Sequence, residues 1–252
     1  MFTDTHCHLT DDYCASEQLD AVVARATDAG VTRLICATSD GNDILPAIKI
    51  AETHNNIFVT TGVHPEFAGT MNPNDYLTDA VLTHPRVIGV GEIGLDYHER
   101  DDNRDDQIKL FESQLEIARK YDMPVAIHTR DAESDTAAIL TGVRGVMHCF
   151  TSAWELAKTM LDRGFYFSAS GILTFKNATE IRETFAKIPN DRIVIETDSP
   201  FCAPVPYRGK PCEPFMVVET ARCLSEIKNL QMDELASILE QNTLNLYPKI
   251  KQ

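Results

Sequence analysis

His6 and His8 flank Cys7 near the start of the chain, at the end of a short run from Phe2 to His8. Alternate side chains of a strand point the same way, so two imidazoles two positions apart aim at one point. Neutral imidazole is the commonest metal ligand, and the pair reads as the first half of a metal site. Alone, a His-x-His is weak evidence. Later apolar runs strengthen it, because they too end in ligand-type residues: His64 followed by Pro65, then Glu92, His128, His148 and Asp198.

The elements that must position these residues are regularly spaced. Strand-like runs cover residues 2–8, 32–37, 57–63, 87–92, 125–128, 145–149, 164–170 and 192–198. Helical periodicity fills the intervals. Ile108, Phe111, Leu115 and Ala118 recur at three and four, as one buried helix face requires. Leu19, Val22, Val23 and Ala26 repeat the pattern, as do Leu156, Met160 and Leu161. Gly30, Gly142 and Gly164 close helices or bridge to strands. Eight strands alternating with helices predict a (β/α)8 barrel, a TIM barrel, as a single domain over residues 1–252. The competing architecture is an open doubly wound sheet, weakened by the lack of a glycine-rich phosphate loop after the first strand. The stretch from Cys202 to Pro214, with its four prolines, is expected to be a long loop rather than a domain boundary.

In such barrels the active site lies at the C-terminal ends of the strands. His6, His8, Glu92, His128, His148 and Asp198 all fall on that rim. Each has an ordinary alternative reading, since a strand-end polar residue often pairs with nearby backbone. His54, His84 and His98, in helix or loop contexts, take that structural reading. Four imidazoles and two carboxylates at one rim, however, would be costly without cations. Mixed nitrogen and carboxylate donors suit Mg²⁺, Mn²⁺ or Zn²⁺. Six ligand residues exceed the need of one catalytic ion, which points to two divalent metal ions bridged by Glu92, ~3.5–4 Å apart in sites of this type.

Bulk properties bound the alternatives. The 252 residues are 43% hydrophobic and 24% charged, an ordinary globular composition. No apolar run approaches the ~20 residues a membrane span needs, and the N-terminus lacks the pattern of a signal peptide. The seven cysteines Cys7, Cys14, Cys36, Cys149, Cys202, Cys212 and Cys223 follow no framework spacing, so reduced thiols and a cytoplasmic location are expected. Cys7, alternating with the two histidines, should face away from their site. A net charge of −15 argues against general duplex binding, though not against a nucleic-acid substrate taken in turnover.

The chain resembles the TatD-type metal-dependent deoxyribonucleases of the amidohydrolase-like barrels. The resemblance rests on Asp4-Thr5-His6-Cys7-His8, Gly62-Val63-His64-Pro65, Gly91-Glu92-Ile93-Gly94-Leu95-Asp96-Tyr97 and His128-Thr129-Arg130-Asp131. It continues through His148-Cys149-Phe150, Glu196-Thr197-Asp198-Ser199-Pro200, Arg208-Gly209-Lys210 and Glu213-Pro214. It implies that His6, His8, Glu92 and Asp198 hold one ion and Glu92, His128 and His148 the other. Asp198 would also orient or deprotonate the attacking water, with Glu92 as the second catalytic carboxylate. His64, Tyr97, Arg130, Lys176 and Arg208 would contact substrate near the scissile phosphate. Cys212, Thr151-Ser152 and Leu246 depart from the family pattern, and none is a proposed ligand.

The activity so implied is 3′-5′ exonucleolytic hydrolysis of single-stranded DNA, bound transiently by a monomer. Two other readings stand beside it. One is a metal-dependent ester or amide hydrolase, such as a D-aminoacyl-tRNA deacylase. The other is a non-catalytic metal-binding barrel.

Overall fold

The computed structural model describes residues 1–10 and 16–251. Its strands are β1 (Phe2–Cys7), β2 (Val31–Ala37), β3 (Ile57–Thr61), β4 (Val87–Asp96), β5 (Val125–Arg130), β6 (Gly145–Met147), β7 (Tyr166–Ala169) and β8 (Ile193–Ile195). They pair in sequence order, each pair parallel. The seam between the first and last strands is closed by a parallel bridge of Cys7 with Ser199. Backbone bonds from His8 to Ser199 (2.8 Å) and from Asp198 to His6 (2.9 Å) reinforce it. This ring is the expected (β/α)8 barrel and excludes the open sheet. The seam thus includes the backbone of His6, His8 and Asp198, so barrel closure fixes where these three residues stand relative to one another.

Around the ring lie α1 (Ser16–Asp28), α2 (Ile44–Thr53), α3 (Asp79–Leu82), α4 (Arg104–Lys120), α5 (Glu133–Ile139), α6 (Trp154–Asp162), α7 (Thr179–Lys187), α8 (Val217–Lys228) and α9 (Met232–Leu246). Their apolar faces are those the periodicity identified. Leu19, Val22 and Ala26 of α1, Phe111, Leu115 and Ala118 of α4, and Leu156 and Met160 of α6 are buried. Gly30, Gly142 and Gly164 take left-handed φ of 85°, 67° and 80° where the chain turns back toward a strand. Leu34 and Cys36 of β2 pack in the large core that includes the helices, whereas Ile35 between them joins Ile88, Ala126, Val146, Tyr166 and Val194. That alternation separates the outer face of the barrel from its interior. Leu246 and Tyr247, at the end of α9, pack into the interior cluster. Among the described residues no helix is long and apolar enough to cross a membrane. Cys149, Cys202, Cys212 and Cys223 are free thiols, and Cys14 lies outside the described residues.

Several strand limits differ from those expected. β4 continues beyond Glu92 to Asp96, and β5 beyond His128 to Arg130, in register to the last pair, Asp96 with Arg130. Gly94 makes this possible. At φ 149° it lies so close to β5 that a Cβ would overlap the His128 carbonyl oxygen. Conversely, β6 stops at Met147, before His148, and β8 stops at Ile195, before Asp198. Asp198 adopts a left-handed φ of 59°, which cannot continue an extended strand.

Asn242 ties α9 to the barrel. Its buried side-chain amide donates to the carbonyls of Asn190 (2.8 Å) and Ile193 (2.7 Å) at the start of β8. Asn242→Ala leaves both acceptors without this donor and is expected to cost about 2 kcal/mol, measured by denaturant unfolding with metal content unchanged.

Candidate metal centre

Strand periodicity and two early strand ends bring the predicted residues to one mouth. The cavity there has a volume of about 690 Å³ and is lined by His8, His64, Glu92, Asp96, His128, Arg130, His148, Cys149, Asp198, Phe201 and Cys202, among others. Glu92, on β4, is almost fully buried and stands at its centre. Its two oxygens face different partners. Oε2 lies 3.4 Å from His6 Nε2 and 3.8 Å from His8 Nε2. Oε1 lies 2.9 Å from His128 Nδ1, 3.3 Å from His148 Nε2 and 3.8 Å from His64 Nε2.

Asp198 completes the first side. Its Oδ1 is 3.5 Å from His8 Nε2, 3.9 Å from His6 Nε2 and 3.8 Å from His148 Nε2. His148 stacks on His6 with ring centroids 3.7 Å apart and stands between the two sides. Four compact donor groups occur among the described residues, His6–His8–Asp198, His64–Glu92–His128, His6–His148–Glu196 and His148–Cys149–Asp198, each with donor atoms within 4.8 Å of one another. His64, read from sequence as a substrate contact, is therefore among the donors.

Electrostatics show what the donor set suits. Burial alone would raise the Glu92 carboxyl, yet His148, His128 and His6 hold it well below the usual range. Asp198 is likewise lowered against burial, by His148, His8 and His6. Burial disfavours charge on His128, but Asp96 and Glu92 outweigh it and push the ring up to about 9. His148 is raised well above its ordinary value, burial being overcome by Glu196, Glu92 and Asp198. A cavity that draws protons onto two imidazoles favours positive charge, and cations compete with those protons. His6 Nε2 is fully buried with no hydrogen-bond partner. An orphaned imidazole nitrogen beside two carboxylates fits a metal ligand, and the nitrogen and oxygen donors fit Mg²⁺, Mn²⁺ or Zn²⁺.

A layer behind the donors orients them. Asp96 Oδ2 meets His128 Nε2 at 2.9 Å. Glu196 Oε1 lies 2.9 Å from His148 Nδ1 and accepts from the Cys149 backbone at 2.7 Å. Asp4, wholly buried, accepts from the Thr197 backbone at 2.9 Å and hydroxyl at 2.5 Å. Burial drives its carboxyl up to about 8. Carboxylates behind metal-binding imidazoles fix tautomer and ring orientation. Asp96 and Glu196 received no role in the sequence reading. The signal was available: Asp96 lies four residues beyond Glu92 on one strand, and Glu196 two before Asp198.

The proposed substrate contacts are not all brought together. Arg130 lines the cavity and pairs with Glu99 at 3.0 Å. Tyr97 is turned away: its hydroxyl donates to Asp135 at 2.8 Å, and its ring carries the Arg104 guanidinium at 4.3 Å. Arg208 lies 3.6 Å over the Phe175 ring, and Arg208 and Lys176, both exposed, do not line the cavity. Cys7 faces the barrel wall, its thiol toward the Ile35 carbonyl. His54, His84 and His98 pair with Asp20, Glu52 and Asp131, and none of the three lines the cavity.

Comparison with known proteins agrees with this geometry. A relative named uncharacterized metal-dependent hydrolase YabD, from Bacillus subtilis, is 37% identical over 253 residues, covering 98% of this chain and 99% of that protein. YcfH from Escherichia coli, which carries the same description, is 36% identical over 98% of this chain and 96% of its own length. The crystal structure of YjjV, a TatD homolog from Escherichia coli, superposes with a TM-score of 0.87 at 27% identity, covering 98% of each chain. The model of the TatD related DNase family matches residues 3–248. With that match across nearly its whole length, the chain belongs to the TatD family of metal-dependent hydrolases.

Proposed function

We propose that the protein hydrolyses phosphodiester bonds of single-stranded DNA, from the 3′ end, with two divalent ions. The observation that carries the reading is the division of Glu92: one oxygen serves His6 and His8, the other His64, His128 and His148. On this reading His6, His8, Glu92 and Asp198 hold one ion, and Glu92, His128 and His148 the other, with His64 at its edge. When bound, the ions supply Lewis-acid polarisation of the phosphate oxygens and ease deprotonation of the attacking water.

The remaining work falls to the chain. Asp198 Oδ1, beside three imidazoles, accepts the proton of the attacking water. Asp96 and Glu196 hold the rings of His128 and His148 so that no reorientation is needed as charge develops. Arg130, at the mouth, steadies the phosphate when it exchanges Glu99 for substrate. Arg208 and Lys176 offer cations to flanking phosphates outside the cavity. An acidic chain grips a few nucleotides near these cations and repels the rest of a long polyanion, which suits release after each cut.

The test is an activity matrix of Mg²⁺, Mn²⁺ and Zn²⁺ against end-labelled single-stranded DNA, the matching duplex, D-aminoacyl-tRNA and a simple carboxylic ester. Single strands cut faster than duplex, shortening from the 3′ end, is the expected result. Cleavage confined to aminoacyl-tRNA or the ester overturns the substrate assignment, and no turnover with any ion revives the binding barrel. Within the same assay, Arg208→Ala should raise KM on single-stranded DNA by about threefold to tenfold, since an exposed charged contact contributes modestly. Metal content, measured alongside, should not change.

A further inference from the structure

One aromatic ring in the cavity wall faces solvent. Phe201 is 58% exposed, yet it lines the cavity that holds Glu92 and Asp198. Met1, Leu45 and Val205, the other strongly exposed large apolar residues among those described, do not line it. A single exposed apolar side chain is ordinary by itself. What distinguishes Phe201 is its neighbour. Its ring centroid lies 6.1 Å from that of His8, with the two planes at 71°. His8 Nε2 in turn lies 3.5 Å from Asp198 Oδ1. The ring therefore stands next to the donors, and Ile172 adds a second apolar side chain to the same wall.

The backbone fastens this ring in place. The Phe201 N–H donates to the Asp198 carbonyl at 2.8 Å, and the Pro200 carbonyl accepts from the Cys212 N–H at 2.9 Å. The Cys202 carbonyl packs so closely on Gly171 that no side chain fits there. The Val205 N–H donates to the Thr174 hydroxyl at 2.9 Å. The loop that carries Phe201 is thus tied to the segment Gly171–Thr174, which carries Ile172. An aromatic side chain has only two rotatable bonds, so on a fastened backbone it offers contact area at small entropic cost.

We propose that Phe201 is a stacking platform for the nucleobase beside the scissile phosphate, and so sets the preference for unpaired strands. This rests on the nuclease reading of the cavity. The charged groups of the lining suit a phosphate, whereas the Phe201 ring suits the flat face of a base. Stacking of this kind tolerates any sequence, because every base has a π-face. It needs a base free of its partner strand, which a single strand provides and a duplex does not. The contact binds substrate without touching the reacting atoms, so it acts on KM rather than kcat.

The test uses single-stranded oligonucleotides that carry either a base or an abasic sugar at the terminal or the penultimate 3′ position. The parent should show a KM about fivefold or more higher for one of the two abasic strands than for the complete strand. Phe201→Ala should raise KM on the complete strand by a similar factor and cut complete and abasic strands alike, with kcat and metal content within about twofold of the parent. Phe201→Trp should restore the preference. Its added fluorescence, over that of Trp154 in the parent, should be quenched by the complete strand and not by the abasic one. A folded Phe201→Ala that keeps the parent's KM and base preference overturns the proposal and leaves the nuclease reading standing. Loss of metal, or a fall in kcat at unchanged KM, shows that Phe201 acts through His8 instead and also overturns it. A parent that cuts no strand overturns the nuclease reading. In that case the quench, which needs no turnover, decides the platform by itself: base-dependent quenching supports it, and its absence overturns it.

Discussion

Asp198→Asn should leave a folded protein whose kcat on single-stranded DNA is lower by about 10²–10⁴-fold, the usual contribution of a positioned proton acceptor. The amide keeps the shape of the side chain and one oxygen toward His6, His8 and His148, but it is neither anionic nor basic. Asparagine also tolerates the left-handed φ of 59° at this position, so the loop after β8 is not disturbed. The backbone bonds that close the barrel, His8 to Ser199 and Asp198 to His6, do not involve the side chain. Turnover and a thermal melt measured on the same preparation separate chemistry from folding. Activity near that of the parent in a folded variant would move the proton acceptor to Glu92.

Glu92→Gln is the more severe change. Its carboxylate is buried and lies within 3.8 Å of five imidazoles. Removing one partner of a buried charge cluster leaves the others uncompensated and costs about 3 kcal/mol or more of stability. Elemental analysis should find two divalent ions per chain in the parent, as the division of Glu92 between two sets of imidazoles suits, and one or fewer in the variant. Loss of several kcal/mol of transition-state stabilisation lowers kcat by about 10³-fold or more. Two ions retained at full occupancy in Glu92→Gln would show that no carboxylate bridge is needed. Comparing stability with and without added Mn²⁺ separates the two effects: added metal should raise the melting temperature of the parent, and do so less for the variant.

The amino-acid order by itself determined the barrel and most of the donors. Two periods suffice for this, 2.0 in the strands and 3.6 in the helices, and both are local properties of the chain. They put Ile35 inside and Leu34 outside β2, and they sent Cys7 away from His6 and His8. What local pattern could not decide is where each strand stops. Glu92 and His128 lie within their strands because Gly94 lets β4 and β5 run together past them. His148 and Asp198 lie past theirs, and in the case of Asp198 the reason is a left-handed turn.

Only the tertiary structure decided which oxygen of Glu92 serves which imidazoles, that His64 joins the donors, and that Asp96 and Glu196 stand behind His128 and His148. It also turned Tyr97 toward Asp135 and set Arg208 on Phe175 outside the mouth. These are contacts between strands and loops distant in sequence, fixed only when barrel closure places them within a few ångströms. Electrostatics follow the same division. A carboxylate type can be read from sequence, but its charge state in the site depends on neighbours that the closed ring supplies.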